Sequence, residues 1–402
     1  MTQTILPKQR VLAIDIFRGL TIAFMIIVNT PGNGERCWEP LKHAAWHGFT
    51  PTDLVFPSFL FIIGVSAYYS FRSLQGSEII ELGIFKKIWR RTLLLFLVGM
   101  LMWYVPGFIG AVFGGTVSDF LQSFVENVRV LGVLGRLALC YGIGASIVLF
   151  TKERTWPIVG VLLLMGYWGI MRLYGTGPDP YSLETNAALK LDLFLLGGNH
   201  LYHGEQVNGK PFAFDPEGIL STIPAVVTFL IGYSCGRFID KTRDSRKVVS
   251  DLFPVAFSLI ALGLAWDQWF GFPINKKLWT SSYTLFVGGL SMMLLAQTIW
   301  LTDIRGYHTN PLTKFFVIFG KNPLLAYLVS ELGLVILGSF TIGSDAGARP
   351  PLTAFQWLYT NTTAIWFGDN GWGSFAFSMI FMLSCWLVSW IAHKRSWILK
   401  IS

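Results

Sequence analysis

The chain has 402 residues, of which 53% are hydrophobic and 13% are charged, and its formal net charge is +8. An average soluble domain contains about 25% charged residues, so this composition excludes a soluble globular enzyme of this size. The 15% of aromatic residues excludes intrinsic disorder. Apolar residues occur in blocks of about 17–25, the length of helix that crosses a bilayer. The sequence therefore predicts an all-α polytopic membrane protein, with residues 1–402 forming a single transmembrane domain.

Ten membrane-spanning helices are predicted in chain order. They cover residues 11–29, 54–71, 92–105, 130–150, 156–173, 218–238, 252–270, 279–301, 315–337 and 373–392. The third is short unless the basic segment 86–91 extends it into the interface. The aromatic segment 355–367 is too short to cross the membrane and is predicted to lie along its surface.

The distribution of Lys and Arg predicts how these helices are oriented. Segments on the side of the N-terminus contain 20 Lys and Arg residues, whereas those on the opposite side contain 7. Because positively charged loops stay in the cytoplasm, both termini are expected there. The positive net charge thus reflects membrane topology. The lipid bilayer is an expected partner and nucleic acid is not, and a homodimer is left open.

Two long segments, 30–53 and 174–217, are predicted on the outer side of the membrane. They hold four of the six histidines and are rich in Trp, Tyr and Gly rather than in the Ser, Glu and Lys of disordered chains. Loops of this length in a compact fold are usually functional or disordered. We therefore predict two folded loops that cover a site. The spacing of the Cys and His residues indicates no disulfide framework, and no metal is expected.

The first candidate site consists of Asn29 and the loop after it, which contains His43, Trp46, His47 and Asp53. The loop can bring His43 and Asp53 into hydrogen-bond contact. A carboxylate that accepts one ring N–H of an imidazole makes the other nitrogen a better base or nucleophile. Two structural alternatives stay open: Asp53 can cap the second span, and Trp46 can be an interfacial aromatic residue.

The second candidate site consists of His200 and His203, followed by Asp215 and Glu217. The two histidines have the spacing of ligands on one helical face, but no partner motif completes a metal site. Polar loops of this kind are common in sugar binding. The order Asp215-Pro216-Glu217 also matches a helix start, with Asp at the N-cap and Pro at the first helical position. For this acidic pair the sequence alone favours the structural interpretation.

The third candidate site is a pair of lysines followed by an aromatic residue. Lys276 and Lys277 lie on the outer side, against the general charge asymmetry. An anionic ligand group or a buried partner would explain them, and so would an anchor that extends to the membrane interface. Lys276 and the nearby Trp279 are therefore candidate substrate contacts.

The fourth candidate site is embedded in the predicted spans. Arg136 lies within the fourth span, and Arg18 follows Asp15 by three residues in the first. An arginine at mid-bilayer costs about 2.5–3.5 kcal/mol, so such residues face a bundle interior. Arg136 is a candidate contact for the phosphates of a ligand. Arg18 is either a second contact for these phosphates or forms a structural pair with Asp15. Asn322 lies at a predicted helix break, which can line the same cavity.

Eight short motifs resemble those of the heparan-α-glucosaminide N-acetyltransferase family. They are DIFRG at 15–19, VN at 28–29, KHAAWHG at 42–48, TDLVFP at 52–57, GRL at 135–137, HLY at 200–202, FDPEGIL at 214–220 and NKKLW at 275–279. They occur in order over nearly the whole chain, which makes the resemblance specific. The chain looks like a bacterial member, expected in the inner membrane.

The resemblance implies that acetyl-CoA, as co-substrate, delivers an acetyl group across the membrane to a glucosamine amine. It assigns the active-site histidine to His43, the neighbouring asparagine to Asn29 and the aspartate to Asp53. Whether His43 acts as a general base or is transiently acetylated stays open, as does a contribution of His47 to proton transfer. The resemblance therefore predicts an amino-sugar N-acetyltransferase. An amino-sugar transporter and an O-acetyltransferase of surface polysaccharide are the alternatives.

Overall fold

The regular structure of the protein is almost entirely helical. The computed structural model describes residues 12–72, 78–114, 116–242, 244–343 and 351–399. The α-helices in these ranges are α1 (Leu12–Asn29), α2 (Val55–Phe71), α3 (Glu78–Met102), α4 (Val105–Gly114), α5 (Val117–Asn127), α6 (Val133–Phe150), α7 (Trp156–Tyr174), α8 (Ala187–Leu196), α9 (Thr222–Thr242), α10 (Ser245–Phe270), α11 (Ser281–Ile299), α12 (Pro311–Lys321), α13 (Pro323–Ser339), α14 (Ala354–Asn361), α15 (Thr363–Phe367) and α16 (Gly371–Lys394). Two antiparallel hairpins pair β1 (Glu205–Val207) with β2 (Lys210–Phe212), and β3 (Thr341–Ile342) with β4 (Leu352–Thr353).

The helices confirm the predicted polytopic all-α class. Within the described ranges, eight helices are long and apolar enough to cross a membrane, and the count rises to nine if α12 and α13 form one broken span. The eight are α1, α2, α6, α7, α9, α10, α11 and α16, some with a short turn at one end. The segment predicted to lie on the surface forms the short helices α14 and α15.

Two of the ten predicted spans differ from the helices of the structure. Residues 92–105 were predicted as a span, but 92–102 form the second part of α3, whose first part contains four basic residues. The predicted span 315–337 is interrupted at Asn322, where α12 and α13 meet at an angle of 82°. Pro323 explains the break, because proline lacks the N–H of a helical hydrogen bond and clashes with the preceding turn. The predicted cytoplasmic ends, 1–11 and 400–402, lie outside the described residues.

Close contact between α1 and α12 holds the broken helix in place. A Cβ added to Gly19 would lie 1.8 Å from the carbonyl oxygen of Phe316, and one added to Gly320 would lie 1.8 Å from that of Asp15. Only glycine allows two backbones to approach this closely, as at many helix contacts in membranes. The end of α12 is thereby fixed against the first turns of α1.

The two long loops are folded, as predicted. The loop after α1 ends in a short 3₁₀ turn, Pro51–Leu54, that leads directly into α2. The loop after α7 contains α8 and the β1–β2 hairpin. Residues from this second loop share an apolar core with α7 and with the turn between α10 and α11, in which Tyr181, Phe214 and Phe272 are buried. The loops therefore form an ordered layer at one end of the bundle, called the loop end below.

Candidate active site

A cavity of about 1510 Å³ lies inside the helix bundle. Its walls are formed by α1, α2, α3, α6 and α13, together with parts of both long loops. Typical ligand sites have volumes of about 300–1,000 Å³. The cavity is therefore large enough to hold more than one small ligand or one long one.

The cavity follows one face of α2 from its first residue to its last turn. Val55, Phe59, Ile62, Ser66 and Ser70 all line it, and their spacing of three or four residues places them on a single helical face. Fifteen residues of α-helix rise by about 22 Å, against about 30 Å for the apolar part of a bilayer. The cavity thus passes through most of the thickness of a membrane.

At the loop end, the imidazole of His43 is hydrogen-bonded to a buried carboxylate. His43 Nδ1 lies 2.7 Å from Asp53 Oδ1, and Asp53 is 1% exposed. An ionised carboxylate can only accept, so Nδ1 carries the proton and the lone pair of Nε2 can act as an acceptor. The predicted contact is present, and the side chain of His43 remains 45% exposed.

The second oxygen of Asp53 holds the loop in position. Asp53 Oδ2 accepts hydrogen bonds from the backbone N–H of Thr50 at 3.0 Å and of Ala44 at 3.2 Å. The first backbone N–H groups of a helix have no acceptor within the helix, and bonds of this kind satisfy such donors. Asp53 therefore does both of the things considered from the sequence: it stabilises the turn before α2, and it orients His43.

Lys276 reaches the same imidazole from a distant part of the chain. Its Nζ lies 3.0 Å from Nδ1 and 3.2 Å from Nε2 of His43, and 3.8 Å from Asp53 Oδ1. The turn that presents it is closed by Asn275, whose side-chain oxygen accepts the N–H of Leu278 at 2.8 Å. Because an ammonium group can only donate, Lys276 is placed to donate to the lone pair of Nε2.

The surroundings of His43 keep its imidazole neutral. Burial lowers the pKa of His43, and the charge of Lys276 lowers it further, while the hydrogen bond to Asp53 acts in the opposite direction. Burial likewise lowers the pKa of Lys276, against the effects of Asp53 and Glu217. In a neutral imidazole whose Nδ1–H donates to a carboxylate, the other nitrogen is suited to accept a proton.

A second charged group lies beside the cavity at the loop end. Arg129 donates to both oxygens of Asp215, at 2.9 and 2.8 Å, and to Glu217 at 2.7 Å. Its guanidinium is enclosed by the rings of Trp103 and Tyr202, 4.8 and 4.6 Å from their centroids. A buried arginine bound by two carboxylates in this way fixes the loop before α9, and with it the position of Glu217 in the cavity wall.

Half of the residues proposed from the sequence line this cavity. They are Arg18, Asn29, His43, Trp46, Asp53, Glu217 and Lys276. Trp46 is held at the edge by a hydrogen bond to the carbonyl of Tyr181 at 3.0 Å. These residues come from four separate segments of the chain, which the fold brings together.

The proposed histidines other than His43 lie outside the cavity wall. His47 contacts Asp179 at 3.4 Å and Asn275 at 3.3 Å. His200 Nδ1 lies 2.8 Å from the carbonyl oxygen of Val128. His203 lines a separate, smaller pocket. Among the described residues, no group of three or more His, Cys, Asp and Glu side chains is arranged to hold a metal ion.

Asp215 and Trp279, also proposed as substrate contacts, do not line the cavity either. Asp215 is 2% exposed and is bound to Arg129. Trp279 is 1% exposed and donates from its indole to Thr228 at 3.3 Å. Trp279 has a φ of 49°, which is uncommon for a bulky residue. Both residues support the loops that form the site.

Arg136 and Asn322 do not occupy the positions expected of ligand contacts. Arg136 is completely buried, donates to the carbonyl of Gly218 at 2.9 Å, and packs over the ring of Trp279. The amide of Asn322 donates to the carbonyl of Trp397 and accepts from Leu399 N–H. Neither lines the cavity, because both side chains bind the backbone of neighbouring segments instead.

At the end opposite the loops, the cavity is lined by basic residues. Lys87, Arg90 and Arg91 on α3 form this wall, with Lys321 at the end of α12. We call this region the basic end. Arg18 also lines the cavity here, and its guanidinium is engaged by Asp15 at 3.3 Å, by the Gly320 carbonyl and by Ser66. The predicted pair of Arg18 with Asp15 is thus present.

Sequence reasoning assigned no role to Arg129 or to Glu331, although both line the cavity. Glu331 was detectable, because a carboxylate inside an apolar span is rare and usually functional. For Arg129 the signal was weak, since its two carboxylate partners are 86 and 88 residues away in the sequence.

The fold and site define a class: a multi-pass membrane protein with a histidine–aspartate pair at one end of a cavity that passes between its helices. The family model described as heparan-alpha-glucosaminide N-acetyltransferase, catalytic, matches residues 10–265, which is more than half of the chain. The chain belongs to this family, which confirms the resemblance noted in its motifs.

Two relatives in this family are similar to the chain over most of its length. The heparan-alpha-glucosaminide N-acetyltransferase of Mus musculus is 28% identical over 369 residues, and that of Homo sapiens is 29% identical over 367 residues. Each alignment covers 80% of this chain and 53% of the relative. The chain thus spans about half the length of the curated relatives it matches.

Proposed function

We propose that this protein is a transmembrane N-acetyltransferase. It transfers the acetyl group of acetyl-CoA, which enters at the basic end, to the amine of a glucosamine-type amino sugar at the loop end. The main support is that a single cavity connects the basic residues of α3 with the His43–Asp53 pair. Both relatives are named for N-acetyl transfer to a glucosaminide.

The basic end suits the nucleotide part of coenzyme A. Phosphate groups are bound by clusters of Lys and Arg, and the chain offers Lys87, Arg90 and Arg91 on one helix with Lys321 opposite. The pantetheine arm is long, thin and weakly polar, which suits the apolar face of α2 between the two ends. These four residues take the place of Arg136 and Asn322 as proposed contacts for coenzyme A.

At the loop end, His43 Nε2 removes a proton from the acceptor amine. The amine nitrogen then attacks the thioester carbon, the carbon–sulfur bond breaks, and the thiolate leaves and takes up a proton. Lys276, which contacts His43, and Asn29, which lines the same cavity, can donate to the oxyanion that forms, a contact worth about 3–4 kcal/mol. Direct transfer is one route. Transient acetylation of His43 is the other, and it predicts ping-pong kinetics.

The proposed orientation follows from the same assignment. Acetyl-CoA is a cytoplasmic metabolite, so the basic end and both termini face the cytoplasm of a bacterium, and the loop end faces the periplasm. The asymmetry of Lys and Arg along the sequence supports this arrangement.

Reconstitution in sealed liposomes tests the proposal. With acetyl-CoA on one side and glucosamine on the other, we expect N-acetylglucosamine to form only when acetyl-CoA has access to the basic end. His43→Ala removes the general base and is expected to lower kcat by about 10²–10⁴-fold. A His43→Ala variant with full activity would show that the chemistry takes place elsewhere.

The cavity that passes through the bundle also favours a second candidate, an amino-sugar transporter. The two functions differ in their requirement for the donor. Labelled glucosamine that accumulates in liposomes without acetyl-CoA would support transport, whereas appearance of the acetylated sugar alone would support transfer. An O-acetyltransferase would instead yield a base-labile ester of the same mass.

A further inference from the structure

Glu331 is a carboxylate inside the apolar helix α13. It lines the same cavity as His43 and Asp53. Its neighbours in the sequence are apolar for most of the helix, and no hydrogen bond or ion pair joins its side chain to any other described residue. Isolated carboxylates within membrane proteins are costly, and those that persist face a water-filled cavity and mark a functional site.

The other carboxylates of the described cavity wall each have a cation within 4 Å. Asp53 lies 3.8 Å from Lys276. Glu205 lies 2.8 Å from Lys277, and Glu217 lies 2.7 Å from Arg129. Within the described wall, Glu331 alone has no such partner. Its carboxyl group is therefore open to a cation that enters the cavity.

The location of Glu331 relates it to the loop end. Tyr327 lies one helical turn before Glu331 and lines the cavity as well. Glu217, Arg129 and Lys276 of the loop end line the same cavity as Tyr327 and Glu331. Since Lys276 contacts His43, a ligand in this cavity has access to both Glu331 and the imidazole.

We propose that Glu331 binds the ammonium group of the acceptor and thereby selects amino sugars over neutral sugars. The inference rests on the proposed function and adds the residue that recognises the charge of the acceptor. An amino sugar enters mostly as the ammonium, so a carboxylate holds it until His43 takes the proton. Glu331 is a binding residue in this scheme, and the base remains His43.

The test compares Glu331→Gln, which keeps the shape and removes the charge, with the wild type. We expect the KM for glucosamine to rise on the order of tenfold or more, as for loss of a charged hydrogen bond. The KM for acetyl-CoA and kcat should change little. Glucose, a neutral competitor, should inhibit both proteins with the same Ki. Glu331→Asp, which retains the charge, should recover most of the affinity.

The control is Glu184→Gln, which removes an exposed carboxylate of the second long loop that does not line the cavity. It should leave the KM for glucosamine unchanged. An unchanged KM in Glu331→Gln, or a loss of kcat at constant KM, would overturn the inference. If the wild type forms no N-acetylglucosamine at all, the proposed function itself fails, so the two failures are distinguishable.

Discussion

His43 lies between a carboxylate and an ammonium group that act on it in opposite ways. Asp53 holds Nδ1 at 2.7 Å and would favour the imidazolium, whereas Lys276 at 3.0 Å disfavours it. Because the net shift of the His43 pKa is downward, the neutral ring prevails near neutral pH. Lys276 thus has an electrostatic role that its position in the sequence does not indicate.

Replacing Lys276 by methionine is expected to raise the pKa of His43. The base is active only when neutral, so the acid limb of the pH profile of kcat/KM should move to higher pH. The measurement is the profile of acetyl transfer in Lys276→Met and the wild type. Lys190→Met, which removes a lysine of the second long loop, should leave the profile unchanged. A shift of the limb to lower pH in Lys276→Met would contradict this account.

Helix α3 presents two different faces, and only one of them meets the cavity. The cavity is lined by Lys87, Arg90 and Arg91, whereas Lys86, one residue before Lys87, does not line it. The sequence shows a basic segment without distinguishing these faces, because the rotation of the helix depends on its packing against α6. The break between α12 and α13 similarly brings Lys321 to the same wall.

A matched pair of variants on α3 tests the basic end. Lys87→Ala is expected to raise the KM for acetyl-CoA by about two- to fivefold, the usual size for one partly exposed charge pair. The increase should shrink at high salt, because exposed charges are screened. Lys86→Ala removes the same charge one residue away and should change the KM little. Equal effects of the two variants would argue against a specific phosphate contact.

The whole molecule is organised around a cavity that joins two chemically different ends. One end is basic. The other contains the imidazole of His43 and the carboxylates of Asp53, Glu205 and Glu217, each of which has a Lys or Arg within 4 Å. The proposed acetyl transfer uses both ends, one for the donor and the other for the acceptor. The apolar face of α2 provides the connection between them.

A bulky side chain in the part of the cavity along α2 is expected to separate the two ends. Ile63→Trp adds a large ring to the cavity-lining face of α2 and is expected to abolish acetyl transfer across liposomes. The same change at Val161, which is 59% exposed on α7 and faces away from the cavity, should be tolerated. Both variants should unfold at similar temperatures, which makes the loss specific. Wild-type transfer by Ile63→Trp would show that the donor does not pass along α2.

The all-α membrane class and most of the span limits were predicted from the sequence, which also showed that a loop can bring His43 and Asp53 into contact. These features depend on local patterns: apolar blocks, turn residues and a short loop between the two side chains. Its motifs also indicated the family. The proposed contacts Arg136 and Trp279 could not be excluded in this way, because sequence does not tell which side of a helix or turn faces a cavity.

Which distant groups meet depends on the packing of the folded chain. Lys276 approaches His43 across 233 residues of chain, and Arg129 binds two carboxylates on another segment. Glu331 was visible in the sequence, but its lack of a cation partner was not. Such contacts depend on how helices rotate and pack against one another, which is set by many weak interactions along their whole length rather than by any local pattern.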